Sequence, residues 1–511
     1  EVFLLAESRI TNSIKNIKSA FFNQILFNIL KFVNRYVFIY TLTEEYLGLN
    51  GLFSNIISIL SLAELGIGTS IVYSLYKPLA EKDEQKICNL MSIFKKSYIA
   101  IGLFISIVGI MLTPFIQFFV NEMPDIPYIR FIYVLFIFNA SSAYFFSYKS
   151  TLIGADQKNY INNIYYSISQ FIIAVLQIVF LLLTHNYIIY LSIQIIITLI
   201  KNIALSHKAD NIYPFLKTLK PKKLDLEEKN KIIKNVKALV FHNMGSVVVN
   251  GTDNILIAKL DSLKIVGLYS NYSLVMGTLE MVYGIVFGSI GSSIGNLCAV
   301  SDEEKSKEYF YIMRFFAFWL YSFTCICIYV LIDPFIGMLF GEKYILPRLM
   351  VIIIIINCYV GGMRKFVIMF KTAYGLFWED RYKPILESII NLIASIILGK
   401  YFGGAGVFMG TLVSSLSTYF WIEPYVVFKY GFKSSVIPYF IDYIKYTVIA
   451  IFNLVVTVFI ANIIVYDGIF GFILKMFVCA FVPNIIYLLL FFRSKEFKYL
   501  FNIFKNRILK I

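Results

Sequence analysis

The chain reads as an all-α polytopic membrane protein of about fourteen transmembrane helices: two pseudo-symmetric six-helix lobes and two C-terminal helices. Three observations predict this. Of 511 residues, 59% are hydrophobic and 15% charged, with a mean hydropathy of +0.74, more apolar surface than a soluble globular domain carries. The apolar residues fall into runs of about 20, the length that crosses a hydrocarbon core roughly 30 Å thick. Lys and Arg, which give a net charge of +15, concentrate in alternate connections and at both termini. That is the positive-inside pattern of a multi-pass protein of the bacterial cytoplasmic membrane with both termini in the cytoplasm. The basic charge is therefore a topology signal, and no nucleic-acid partner is expected.

The first span, 19–40, carries Gln24, Asn28, Lys31 and Arg35. Steps of four, three and four residues put all four on one side of a helix. A cation near the bilayer centre costs roughly 2.5 kcal/mol or more, so this stripe is expected to line a water-filled cavity. No cleavable signal is expected ahead of it, and Arg9, Lys15 and Lys18 favour an inside N-terminus. The second span, 48–73, contains Glu64. The third, 97–120, contains Pro114, which either kinks the helix or marks its outer turn. Spans at 129–152, 160–184 and 186–205 complete an N-lobe over 1–205. The interval 206–236, with Lys217, Lys220, Lys222 and Lys223 among Leu216, Leu219 and Leu224, reads as a basic amphipathic connector on the inner leaflet.

A C-lobe over 237–430 opens with a span at 237–259 whose polar face repeats the first stripe. His242, Ser246 and Asp253 lie 218 residues after Gln24, Asn28 and Arg35, with Asn250 between them. Leu47-Gly48-Leu49 and Val266-Gly267-Leu268 follow the two stripes, Gly48 and Gly267 being 219 apart. We read a duplicated six-helix unit related by an axis along the membrane normal. Span 264–298 holds Glu280 and Gly277, Gly284, Gly288, Gly291 and Gly295; the spacing of Gly284 and Gly288 predicts close helix packing, or else a bendable helix at the lobe interface. After 309–332 comes 345–371, where Arg364 and Lys365 lie within snorkelling reach of one interface. Spans 382–402 and 404–428 close the lobe. Residues 431–511 hold spans 440–465 and 467–492 and a basic cytoplasmic tail. The six Cys have no metal-ligand or disulfide spacing and read as small core residues.

Two blocks carry a resemblance. The first is Glu45-Tyr46-Leu47-Gly48-Leu49-Asn50-Gly51-Leu52-Phe53-Ser54-Asn55, continuing through Leu60-Ser61-Leu62-Ala63-Glu64-Leu65-Gly66-Ile67-Gly68 to Tyr73-Ser74-Leu75-Tyr76-Lys77-Pro78-Leu79. The second, shorter, is Thr252-Asp253-Asn254-Ile255-Leu256-Ile257 with Val266-Gly267-Leu268-Tyr269-Ser270-Asn271-Tyr272. Together they resemble the polysaccharide transporter family, the O-antigen and capsule repeat-unit flippases of the multidrug/oligosaccharidyl-lipid/polysaccharide (MOP) exporter superfamily. The resemblance covers both six-span halves. It implies a fourteen-helix, two-lobed transporter that moves undecaprenyl-diphosphate-linked oligosaccharides of lipopolysaccharide or capsule biosynthesis from the inner to the outer leaflet by alternating access. Membrane lipids and the polymerase and glycosyltransferases of the same pathway would be its partners.

The residues fit such a cargo in their own right. Arg35 offers a planar fork for a diphosphate and Lys31 a point charge beside it, while Asn28 and Gln24 suit sugar hydroxyls or water. Arg364 and Lys365 are further binding candidates. Asp253, which occupies the position of Arg35 in the other half, is the preferred coupling residue, with Glu64, Glu280 and His242 as other coupling or charge-pairing groups. Such an acid either takes up H⁺ or Na⁺, with Na⁺ at Asp253 as one option, or simply pairs with Arg35 or Lys31. No other cofactor is called for. The membrane potential is an alternative drive: two negative charges moving outward gain about 2.3 kcal/mol per charge per 100 mV. A flippase for the peptidoglycan precursor or another wall polymer stays open, as does a multidrug or cation antiporter of the same superfamily. Short external connections, with no nucleotide-binding loop or nucleophile elbow, count against an enzyme.

Overall fold

The computed structural model describes residues 29–64, 66–222, 230, 233, 236, 251–300, 302–466 and 468–508, and no strand occurs among them. Helix α1 covers 29–41. It is followed by α2 (Glu44–Leu60), α3 (Ile67–Glu81), α4 (Glu84–Leu112), α5 (Ile129–Ala155), α6 (Asn159–Thr184), α7 (Tyr187–Ile212) and the short α8 (Phe215–Thr218). Helix α9 covers 251–260. The remainder are α10 (Leu263–Val300), α11 (Glu303–Phe340), α12 (Arg348–Ala373), α13 (Lys383–Ser417), α14 (Tyr419–Val426), α15 (Ile437–Asn462), α16 (Gly468–Phe491) and α17 (Lys495–Ile508). Nine helices among the described residues are long and apolar enough to cross a membrane. Each predicted span falls largely on helix over its described part, the ends departing by a few residues, and the polytopic all-α architecture is as read from the sequence.

Two glycines interrupt regular helical geometry. Span two is interrupted: α2 ends at Leu60, a 3₁₀ turn runs Ser61–Glu64, and Gly66 takes a left-handed φ of 83° before α3 begins. A residue with a Cβ would be strained there, whereas glycine adopts it freely. At the other place, α13 joins two helices across Gly403 (φ 57°, ψ −138°), between the predicted spans 382–402 and 404–428. Pro114 stands in the 3₁₀ extension Thr113–Phe119 that finishes α4, so it marks the end of that helix and not a kink within it.

The chain divides into two compact units, 1–267 and 268–511. In the first, α1 is fixed to α6 and α7 through a polar contact. Asn34 donates through Nδ2 to Gln177 Oε1 at 2.8 Å and lies 3.3 Å from the Tyr190 hydroxyl. Gln177, 2% exposed, in turn donates to the Tyr190 carbonyl at 3.1 Å. Phe38 packs edge-on against Tyr187 and Tyr190. The sequence interval after α7 continues onto α4: Gln85 reaches the Lys220 carbonyl and Asn89 accepts from the Lys222 amide. Burial and a hydrogen bond to Asp156 push the Tyr213 hydroxyl well above the usual tyrosine range.

The tightest contact of this unit is the crossing of α2 with 263–267. A Cβ on Gly48 would lie 2.0 Å from the Leu263 carbonyl oxygen, and one on Gly267 would lie 2.2 Å from the Glu44 carbonyl oxygen. The two glycines matched in the sequence repeat thus meet at one crossing, with Lys264 and Glu44 paired at 3.4 Å beside them. Farther along α2, Asn55 accepts from Asn254 and donates to the Gly251 carbonyl, each at 3.1 Å.

In the second unit the core is aromatic. Phe318 stacks on Tyr446 at 4.4 Å, and Phe310, Phe315, Phe366, Phe370 and Tyr487 fill the space around them. The glycines of α10 do not do what their spacing predicts. A Cβ on Gly277, Gly284, Gly288 or Gly295 would meet no described atom within 4 Å. The close approach lies elsewhere, at Gly362 against Tyr321 and at Gly410 against Ser395. Small-xxx-small spacing permits a close contact, but a partner must arrive to make one.

Gly48→Ala should therefore force two backbones apart and destabilise the protein by about 1–3 kcal/mol, read as a lower midpoint of thermal unfolding in detergent. Gly284→Ala should leave that midpoint unchanged or raise it. Equal losses at the two positions would refute the crossing as the constrained one.

Candidate functional site

Gln24, Asn28 and His242 lie outside the described residues. Lys31 and Arg35 are one turn apart on α1, Lys31 exposed and Arg35 half-buried. The charge of Arg35 is felt by the hydroxyls of Tyr187 and Tyr190 on α7, which are stacked on each other at 5.9 Å. This places the guanidinium near two aromatic rings. The geometry follows from the Asn34 contact, which sets the rotation of α1 so that the neighbouring Arg35 turns toward α7.

Glu64 lies in the 3₁₀ turn that interrupts span two. Its Oε1 accepts from the Tyr98 hydroxyl on α4 at 2.6 Å, and its Oε2 from the Tyr144 hydroxyl on α5 at 2.7 Å. The expected charge partner is absent: among the described residues no ion pair reaches Glu64. Asp253 is half-buried on α9, and its Oδ1 has no hydrogen-bond partner among the described residues. It lies beside Asn254, whose Nδ2 is held by Asn55 while its Oδ1 is also unsatisfied. A buried oxygen of either kind is costly unless something binds it.

In the second unit two predicted site residues come together: Lys365 on α12 reaches Glu280 on α10 at 3.3 Å, both about half exposed. Their neighbour Arg364 does not snorkel to an interface. It forks onto Glu423 of α14, Nε to Oε2 and Nη2 to Oε1, each at 2.7 Å, and lies 3.9 Å over the Tyr419 ring. Lys383 donates to the same Oε1 at 2.6 Å, Glu387 pairs with Lys383 at 3.3 Å, and Lys371 pairs with Asp380 at 2.5 Å. Glu423 is 1% exposed. Three cations and three carboxylates from α12, the α12–α13 connection, α13 and α14 thus neutralise one another, which is how charges persist away from water.

Sequence reasoning passed over Glu423, Lys383 and Glu387. Each sits near the end of a predicted span, where a charge ordinarily reaches solvent. A signal was present all the same, since Arg364 needed an acid at comparable depth and Glu423 was available on the next span but one. Tyr98 and Tyr144 gave no signal among 37 tyrosines.

Glu423→Ala should cost about 3–5 kcal/mol, because it leaves the cluster around Arg364 and Lys383 one carboxylate short of its cations. Denaturation in mixed micelles would measure it. Lys365→Ala, which breaks a half-exposed pair, should change stability by no more than about 1 kcal/mol. A Glu423→Ala effect as small as that of Lys365→Ala would show that the cluster is solvated.

No protein-family model matches the chain, and no curated protein matches it in sequence. Solved structures do share its fold. The lipid II flippase MurJ in an inward closed conformation aligns over 94% of this chain and 99% of its own, with a TM-score of 0.62 at 15% identity. A variant of the Vibrio cholerae MATE transporter VcmN aligns over 84% of this chain and 99% of its own, with a TM-score of 0.55 at 13% identity. The inward-facing conformation of a multidrug resistance MATE family transporter of the MOP superfamily covers 78% of this chain and 94% of its own, with a TM-score of 0.54 at 13% identity. The fold of this chain is that of flippases and transporters of the MOP type.

Proposed function

We propose that this protein is a flippase for lipid-linked oligosaccharides, moving undecaprenyl-diphosphate-linked polysaccharide repeat units from the inner to the outer leaflet by alternating access. The observation that carries the reading is Lys31 and Arg35 one turn apart on a membrane helix, with Arg35 beside Tyr187 and Tyr190. A planar guanidinium and a mobile ammonium suit the two phosphates of a diphosphate. Aromatic faces suit the apolar faces of sugar rings. The fold shared with a lipid II flippase supports a cargo of the same chemical kind: a prenyl tail, a diphosphate and a glycan. Such a protein lies in the cytoplasmic membrane with both termini inside, as the Lys and Arg distribution indicates. Asp253, Glu64 or the membrane potential would drive the cycle.

The same likeness favours one second reading, in which the cargo is the peptidoglycan precursor itself. The two differ in the sugar and not in the phosphate contact. Arg35→Ala should abolish export of the lipid-linked unit while leaving the amount of protein in the membrane unchanged, and Arg35→Lys should retain part of it. The measurement is the sidedness of labelled lipid-linked glycan in inverted vesicles, with polysaccharide units and lipid II assayed separately. Unaltered export of both by Arg35→Ala would sink the phosphate role. Export of lipid II alone would select the second reading.

A further inference from the structure

The connection between α12 and α13 is short and closely tied. The chain turns through Gly375, whose φ is 69°, and the Leu376 amide donates back to the Lys371 carbonyl at 3.0 Å. Asp380 is buried and paired with Lys371, and the Lys383 amide donates to the Asp380 carbonyl at 2.9 Å as α13 begins. With Asp380 held inside, its neighbours are left at the surface. Trp378 is 71% exposed and Tyr382 is 69% exposed.

Arg381 lies against both of these rings, its Cζ 4.0 Å over Trp378 and 4.6 Å over Tyr382. Its Nη1 donates to the Trp378 carbonyl at 2.7 Å. Two ring contacts and one hydrogen bond hold a side chain that is otherwise free to sweep through solvent. The other edge of the guanidinium, Nε with Nη2, bonds no group among the described residues. Arg364 uses that same edge to fork onto the Glu423 carboxylate, so Arg381 presents a preset bidentate grip for an oxyanion. Glu379 beside it is exposed and makes no ion pair with it among the described residues.

The face of α13 below the rings is apolar and exposed. Tyr382, Leu386, Ile389, Ile393 and Ile397 follow one another at steps of three and four, which is one side of a helix. Both α12 and α13 are long and apolar enough to cross a membrane, so their connection stands at a membrane surface. Trp and Tyr at the head of such a stripe mark the level of the lipid headgroups. On the topology proposed above, that level belongs to the inner leaflet. A ligand that suits the whole site carries an oxyanion at one end and hydrocarbon at the other.

We propose that the α12–α13 turn is a binding site for an anionic phospholipid. Arg381 takes the headgroup phosphate through Nε and Nη2, Trp378 and Tyr382 flank the glycerol level, and the acyl chains lie along Leu386, Ile389 and Ile393. A zwitterionic headgroup brings its own cation to the phosphate, whereas an anionic one leaves that place to Arg381, so the site discriminates by headgroup charge. This lipid is held and not carried, and the site does not depend on the cargo of the flippase reading.

The test uses Trp378 as its own reporter. The chain has three tryptophans, so Trp319→Phe with Trp421→Phe leaves Trp378 alone in the full chain. The protein is placed in bilayers of phosphatidylglycerol and phosphatidylcholine in equal amounts, with brominated, quenching acyl chains on one or the other. Quenching should be stronger when phosphatidylglycerol carries the bromine, by a preference of about fivefold, the factor one basic residue contributes at an anionic surface. Arg381→Gln should abolish the preference, and Arg381→Lys, which keeps the charge without the fork, should retain part of it. If the single-tryptophan protein fails to fold, the difference between the unaltered chain and Trp378→Phe supplies the same signal. Equal quenching by the two lipids, or an undiminished preference in Arg381→Gln, would overturn the proposal. Loss of the preference on adding inorganic phosphate at constant ionic strength would also overturn it, by making the site one for a free anion.

Discussion

Inside hydrocarbon a polar side chain has no water to turn to, and several helices of this protein are held where such side chains find partners on a neighbouring helix. Asn34 meets Gln177 and Tyr190, and this sets α1 against α6 and α7. Glu64 meets Tyr98 and Tyr144, and this ties the interruption of span two to α4 and α5. Glu423 meets Arg364 and Lys383, and this ties α14 to α12 and α13. Apolar packing gives the helices a common surface at little preference for one rotation over another. The polar pairs choose the rotation, because a wrong one leaves a buried charge or amide unmatched.

The two units use this constraint differently. The cluster around Glu423 is complete: cations and acids balance, and each has a partner within the cluster. Such a network makes a rigid joint between helices. Among the described residues Glu64 is met by the neutral donors Tyr98 and Tyr144, and Asp253 Oδ1 has no partner. Sites left short of a counter-charge respond to whatever ion or proton arrives.

Much of the architecture was legible because one property dominates it. A run of apolar residues of membrane length has no other use, so over the described residues the spans could be placed to within a few residues of the helices that hold them. The Lys31–Arg35 stripe stood out for the same reason, as charge where none is cheap. What could not be read is non-local. Nothing near Arg364 in the sequence names Glu423, 59 residues on, and nothing near Glu64 names Tyr144, 80 residues on. The interruption of span two was local, and Leu65-Gly66-Ile67-Gly68 contains its cause. Helical hydrophobicity continued across it, and a periodic pattern does not register a turn that spares the apolar count. Gly48 and Gly267 were found as a repeat, which is a statement about ancestry. That they meet was not contained in it.

The open glycines of α10 have a consequence for the mechanics of that helix. Gly277, Gly284, Gly288 and Gly295 touch no described atom where a side chain would stand, so alanine could occupy each without displacing any described atom. Each glycine in a helix interior forgoes roughly 0.5–1 kcal/mol relative to alanine. The helix therefore sits some 2–4 kcal/mol above an all-alanine version of itself, a sum distributed along the interval 277–295 instead of concentrated at one joint. A rod softened in this way bends as a bow and not as a hinge. Its curvature can be altered by a load applied at either end without a single residue having to change its conformation abruptly.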